Sequence, residues 1–373
     1  MNIALSQSDV ATAYGWGLDA LWNGLMTGQT AIRSTQRFCE RGFVSDQAAM
    51  IPDLSPAPSE SRVMAGLTKI LRPLVGKLDP MTPLIVATTV GEIEYLERGV
   101  LEDKSDWICQ SRPQVLVERV KKLLGLRGPA MAFSSACASS SAALTRAASM
   151  IRHGEATQVL VVSGDCVSEF VYSGFSTLMS LSAGPAQPFD AERCGLTLGE
   201  AVAWALVTPA TGAKGELSIL GWGNTTDAIH MTAPDRIAGG LARAIGKACA
   251  MAKYKQSDLG FIAAHGTGTL YSDAMEMLAF REQFQSARPV FSVKGAIGHT
   301  LSAAGLVQIL VAGRAMENHR IPPNVGMASA DEAAAGWVHQ KGVDIKGTRA
   351  ALSTNSGFGG VNTAILLGRG SHQ

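Results

Sequence analysis

Along this chain, short apolar runs rich in β-branched residues, at 84–88, 158–162 and 203–207, alternate with Ala-rich amphipathic stretches. Short runs bounded by turn residues predict buried strands, and the longer amphipathic stretches predict helices. Residues 137–152, CASSSAALTRAASMIR, have the small side chains and apolar spacing of a buried helix, with Gly154 as its stop. Cys137 then sits at a helix start. The polar stretch 209–215, PATGAKG, separates one strand-like run from the next at 216–220 and predicts a boundary near residue 212. Beyond it the alternation resumes, with a helix over 239–252 and strands at 261–264, 289–293 and 363–367. The expectation is an α/β protein of two similar halves, 1–212 and 213–373, without a strong internal sequence repeat.

Composition narrows the function classes. Of 373 residues, 46% are hydrophobic and 17% charged, enough to bury a large core. A net charge of +1 gives no electrostatic reason for a nucleic-acid or membrane-surface partner. Cys39, Cys109, Cys137, Cys166, Cys194 and Cys249 are scattered without a CxxC pair, so neither a zinc site nor a disulfide framework is expected. The N-terminus lacks a basic segment followed by an apolar core, and no stretch reaches about 18 uninterrupted apolar residues. A cytoplasmic protein without a membrane span is expected.

Three residues stand where chemistry is often done. Cys137 lies in SSACASSSAAL, where a strand-like run breaks into a helix, so the helix N-terminus should lower its pKa and favour the thiolate. Its backbone N–H could face an oxyanion. His265 lies in AAHGTGTLYSD, in a Gly/Thr loop after an apolar run. His299 lies in SVKGAIGHTLSAAGLVQIL, close to a helix start, where the positive helix end penalises imidazolium and favours the neutral ring. Each also has a plain structural reading. Cys137 fits a buried core cysteine, His265 a turn residue bonded to backbone, and His299 a helix-start residue bonded to a loop.

Taken together with NSGFGG at 355–360, these segments form an ordered set. It includes ACASS at 136–140, QPFDAERCGLTLGEA at 187–201, DAIHMTAPD at 227–235, HGTGT followed by Asp273 and Glu276, and KGAIGH at 294–299. The chain resembles the β-ketoacyl-acyl-carrier-protein synthases of the thiolase-like superfamily over nearly its whole length. The resemblance implies a five-layered αβαβα fold of two similar halves and a two-step condensation. Cys137 would take an acyl group from a carrier-protein thioester, with the N–H groups of Cys137 and Phe358 as the oxyanion hole. His265 and His299 would then stabilise the enolate left when a malonyl thioester loses carbon dioxide. Lys294 and Glu276 match a supporting ion pair. Thr267 and Thr269 match the threonines that bond the phosphopantetheine arm, Phe358 with Gly359 a gate, and His230 a site-lining histidine. Taken singly, Lys294 and Glu276 read as solvated surface charges, Thr267 and Thr269 as turn threonines, Phe358 as core and Glu200 as a structural acid.

The resemblance implies no metal and no cofactor of the protein's own, the substrates being carried on the phosphopantetheine of acyl carrier protein. It implies a dimer, with an identical chain or with a second ketosynthase-like chain. Carrier proteins are acidic, so Arg62, Lys69 and Arg72, at helical spacing, are candidates for docking them. Leu270 replaces a proline usual after HGTxT, the opening strand lacks a V-x-G-x-G run, and the stretch between about 95 and 129 is shorter than usual, which leaves chain-length preference open. The rival reading is a chain-length-factor-like or carrier-binding partner subunit, against which stands the retention of Cys137. A degradative thiolase lacks its second cysteine here, since none follows Cys249, and an initiating Cys-His-Asn synthase would not carry His299.

Overall fold

A computed structural model describes residues 2–35, 37, 42–57 and 59–369; Cys39 lies outside the described residues. The apolar runs become ten strands of one mixed sheet. They are β1 (Ile3–Thr12), β2 (Leu84–Ala87), β3 (Ala130–Phe133), β4 (Val159–Asp165), β5 (Ala201–Pro209), β6 (Leu217–Thr226), β7 (Phe261–Ala263), β8 (Val290–Phe291), β9 (Ala350–Gly357) and β10 (Val361–Arg369). A further two-residue strand, Gly15–Trp16, pairs with the end of β1.

Spatially the order is β8-β7-β9-β10-β6-β1-β5-β4-β2-β3. Strands β1–β5 and β6–β10 therefore follow one plan. In each, the third, second and fourth strands pair in parallel, and the fifth joins the fourth and the first antiparallel. The two runs meet where Ile3, Ala4 and Leu5 pair with Ile219, Ser218 and Leu217. Residue 212 lies in the connection between β5 and β6.

The longest of the described helices that cover and separate the strands are α1 (Arg62–Leu71), α2 (Pro113–Leu124), α3 (Ser139–Arg152), α4 (Gly239–Ala252), α5 (Leu270–Gln283) and α6 (Ala304–Asn318). Because strand side chains alternate, each strand feeds two cores. Along β4, Val159 and Val161 face the central core with α3 and α6, while Leu160 and Val162 face an outer core with α1 and α2. On the other side, Ala351 and Leu367 point to the centre, and Leu352 and Leu366 point to α4 and α5. The layers are αβαβα, and burial of both strand faces is why the strands read as unbroken apolar runs. Helices α3 and α6 meet closely at Gly305, where a Cβ would stand 2.0 Å from Ser141 Oγ. The run at 289–293 gives only a two-residue strand, because Lys294–Ile297 winds into a helical turn. No described helix is long and apolar enough to cross a membrane.

Candidate active site

Cys137 follows β3 and stands just before α3, for which Ala138 is the N-cap. The turn is tight: Ala136 takes a positive φ of 48°, an unfavourable region for a residue with a Cβ. The end of β9 presses on this turn, and a Cβ on Gly357 would meet Ser135 O at 2.9 Å and Cys137 N at 3.2 Å. That approach brings the Phe358 N–H onto the Cys137 sulfur. The thiol is 7% exposed. The expected lowering of its pKa is overturned. Burial pushes the Cys137 thiol up to about 11, outweighing the Lys294 charge and the N–H groups of Phe358 and Cys137, while Asp165 adds to the rise.

His265 is carried past the end of β7 on a loop held by two buried carboxylates of α5. Glu276 accepts the N–H groups of His265 (2.8 Å) and Gly266 (2.6 Å) and the Thr354 hydroxyl (3.0 Å). Asp273 accepts the N–H groups of Thr267 (2.9 Å) and Phe189 (2.8 Å). On the ring, Nδ1 faces Lys294 Nζ at 3.3 Å and Asn355 Nδ2 at 3.2 Å. The Asn355 carbonyl oxygen is taken by the Ser141 hydroxyl at 2.7 Å, so its amide nitrogen is the group turned to His265. With donors on Nδ1, the proton of the neutral ring lies on Nε2.

The expected ion pair between Lys294 and Glu276 does not form. Glu276 spends its oxygens on backbone and hydroxyl donors, and Lys294 Nζ donates to the His265 carbonyl. Both groups are fully buried rather than solvated, and act on each other over a distance. Burial lowers Lys294 and the Glu276 charge opposes that; burial raises Glu276.

His299 follows Gly298, which has a positive φ of 67°. Its backbone is pinned to a neighbouring segment by bonds to Thr197 O (2.7 Å) and from Gly199 N (3.0 Å). The Leu301 N–H donates to its Nδ1 at 3.0 Å, which again leaves the proton on Nε2. Both imidazoles are neutral: burial first, and the Lys294 charge second, push His265 and His299 well below their ordinary value. The helix end expected to do this is farther off, since α6 begins at Ala304 after a 3₁₀ turn over Leu301–Ala303.

The two rings stand edge to face with centroids 5.3 Å apart. With Cys137 they line one cavity of about 240 Å³, together with Thr267, Thr269 and Phe358. The Thr267 and Thr269 hydroxyls are 2.9 Å apart. The Phe358 ring rests on Phe175 at 5.7 Å. Of the expected site residues, Lys294 and Glu276 lie behind the loop outside its lining, and the two expected to bind substrate, His230 and Gly359, do not line it either. His230 is exposed, its Nδ1 accepting the N–H groups of Thr232 (3.1 Å) and Ala233 (3.0 Å), so it shapes the turn that reaches the cavity wall. Gly359 faces outward with φ +82°, and its N–H donates to Met231 O at 2.7 Å.

Other expectations change as well. Arg62 is not free for a partner, because its guanidinium pairs with the buried Glu200 at 2.7 Å. Glu200 also accepts the Ile51 N–H at 3.0 Å, the behaviour of a structural acid. Lys69 lies over the Trp16 ring at 3.6 Å, and Arg72 is exposed. Asn355 was not singled out from sequence, although it lies inside NSGFGG; its bond to His265 joins residues ninety apart. Among the described residues, no group of three metal-ligating side chains comes together.

Comparison with known proteins gives a consistent result. Residues 84–213 match the N-terminal domain of the β-ketoacyl synthases and residues 217–328 the C-terminal domain. A 3-oxoacyl-[acyl-carrier-protein] synthase homolog of Saccharomyces cerevisiae is 30% identical over 76% of this chain and 70% of its own length. The tetracenomycin polyketide synthase ketoacyl synthase alpha subunit of Streptomyces glaucescens is 28% identical over 99% of this chain and 97% of its own. Among solved structures, a chain of the complex between a ketosynthase and its chain length factor from Xenorhabdus doucetiae superposes with a TM-score of 0.87 at 25% identity, covering 99% of this chain and 98% of that one.

Proposed function

The chain belongs to the β-ketoacyl synthase family, the condensing enzymes of fatty acid and polyketide synthesis, and from that premise we propose how its own residues divide the reaction. Cys137 Sγ attacks the carbonyl of an acyl-carrier thioester. The C–S bond to the carrier breaks, and the thiol proton leaves with the phosphopantetheine sulfur. The N–H groups of Cys137 and Phe358 receive the oxyanion. A malonyl-carrier then enters, its arm bonded by Thr267 and Thr269. Its carboxylate leaves as carbon dioxide, and the electron pair of the broken C–C bond becomes an enolate whose oxygen accepts from Nε2–H of His265 and His299. The enolate carbon attacks the acyl-Cys137 carbonyl. A C–C bond forms, and the Cys137 sulfur leaves as thiolate and regains a proton from solvent.

The observation that carries this reading is that both imidazoles have Nδ1 occupied, so both keep a proton on Nε2 in the cavity that holds the thiol. Neutral donors suit an enolate, since they stabilise its charge without first giving up a proton. Lys294 holds His265 in this state from Nδ1, and Glu276 holds the loop. Phe358 is the gate, with Gly359 its pivot. The chain needs no cofactor of its own; its substrates ride on acyl carrier protein. We place the division between its halves at residue 212, its location in the cytoplasm, and its partner in an identical or a second ketosynthase-like chain. The ketosynthase from Xenorhabdus doucetiae, solved with its chain length factor, supports the second arrangement.

Intact-mass analysis tests this. The protein and Cys137→Ala are incubated with short, medium and aromatic acyl-carriers, then with malonyl-carrier. A mass gain that requires Cys137 and is discharged as β-ketoacyl product is expected. A folded protein that gains no mass from any acyl-carrier would instead be a partner subunit of the chain-length-factor kind.

A further inference from the structure

At the C-terminal end of β4 a carboxylate, Asp165, is 0% exposed. It accepts from the Thr88 hydroxyl at 2.7 Å, the Thr89 hydroxyl at 2.8 Å, the Thr89 N–H at 3.0 Å and the Ser302 N–H at 3.0 Å. None of these donors is a cation. Burying a carboxylate among neutral groups is costly, and an apolar side chain would serve a core position at lower cost. The question is what its bonds hold. Thr88 and Thr89 only continue β2, beside β4 in the same sheet. Ser302 comes from the other run of strands, three residues past His299.

Two successive amides there do different work. Leu301 N–H donates to His299 Nδ1 at 3.0 Å, and Ser302 N–H donates to Asp165 Oδ2 at 3.0 Å. Between them Leu301 takes a φ of +50°, a conformation that costs a leucine about 1 kcal/mol or more. The turn keeps it because Asp165 holds the amide on one side and because the Leu301 side chain packs with Val167, Tyr172 and Leu198. A further bond runs from the Ser163 hydroxyl to the Ser302 hydroxyl at 3.2 Å. Released from Asp165, Leu301 can relax to negative φ, which turns its N–H away from Nδ1. His299 then loses the contact that keeps its proton on Nε2. His265 is protected from such a failure by two independent donors on its Nδ1.

We propose that Asp165 is a positioning residue for His299, fixing the strained turn whose amide selects the imidazole tautomer. The inference rests on the reading of His299 as an enolate donor. Asp165 also raises the Cys137 thiol by its charge, which gives a second readout.

The test uses the full chain with ¹⁵N-labelled histidine. Asp165→Ala removes the acceptor and the charge. Asp165→Asn removes the charge but keeps an oxygen for Ser302, its amide nitrogen turning to the Thr88 hydroxyl. In Asp165→Ala the His299 resonances lose the pure Nε2–H pattern while those of His265 keep it, and decarboxylation of malonyl-carrier falls about 100-fold. Asp165→Asn keeps the pattern and stays within a few-fold of the parent. In both, Cys137 is alkylated faster at pH 8, because loss of a nearby negative charge favours thiolate. If Asp165→Ala does not fold, Asp165→Leu keeps the site filled and carries the same expectation. An unchanged His299 tautomer without the carboxylate, or equal changes at both histidines, overturns the proposal. The spectra need no substrate. A parent protein that decarboxylates nothing would therefore defeat the reading of the site and leave this test standing.

Discussion

The turn from β3 into α3 and the turn from β8 into α6 occupy the same place in the two repeats of the strand plan. One delivers a thiol and the other an imidazole. Each has a positive φ immediately before the reactive residue, at Ala136 (48°) and Gly298 (67°). Burial treats the two groups in opposite senses and reaches the same end. It disfavours whichever form is charged, so the thiol is pushed up and the imidazole down, and both are neutral at pH 7. The fold thus supplies a place for a reactive group, and the local donors decide its role. Cys137 is met by the Phe358 N–H on its sulfur, whereas His299 is met by the Leu301 N–H on its Nδ1.

Removing the imidazoles breaks the comparison most severely. His299→Ala and His265→Ala each remove one enolate donor, and decarboxylation of malonyl-carrier should fall by about 10²- to 10³-fold while Cys137 still accepts an acyl group. Stopped assays of the separate half-reactions read this, and an equal loss of acylation would argue that the histidines serve the thiol instead.

A pH series sharpens it. Below about 11 the thiolate fraction of Cys137 should grow roughly tenfold per pH unit, so its alkylation should climb without a plateau between pH 6 and 9. Decarboxylation should not follow that climb, since the imidazoles are neutral throughout; what pH dependence it has belongs to Lys294 and Glu276, which burial brings to about 8 and about 7. A plateau in alkylation near neutrality would mean an ion pair with an imidazole.

The smallest effects come from the two turns themselves. Gly298→Ala puts a Cβ 2.6 Å from Leu198 O and should cost about 2 kcal/mol in urea unfolding. Ala136→Gly relieves the same kind of strain and should change stability by no more than about 1 kcal/mol. Equal responses would mean that the turns are not comparable.

Much of the site was legible because it is local. Cys137, His265 and His299 each sit where an apolar run breaks at small residues, and all three line one cavity. Thr267 and Thr269, two residues apart on one loop, line it too. What failed was distance-dependent. The ion pair of Lys294 with Glu276 was expected from their matching places in the motifs, but the backbone N–H groups of His265 and Gly266 reach Glu276 first. Arg62 was read as an exposed helix charge, and Glu200, 138 residues away, takes it.

By itself, the sequence determined the α/β alternation, through short apolar runs set between amphipathic stretches, and it determined which residues could react, through their side-chain types; the five layers were implied only by the resemblance to a family. Only the tertiary structure decided the state in which they react. The sign of each pKa shift depends on how completely water is excluded. The tautomer of His265 depends on two donors from remote segments and that of His299 on one amide in a strained turn, and neither leaves a periodic trace in the chain.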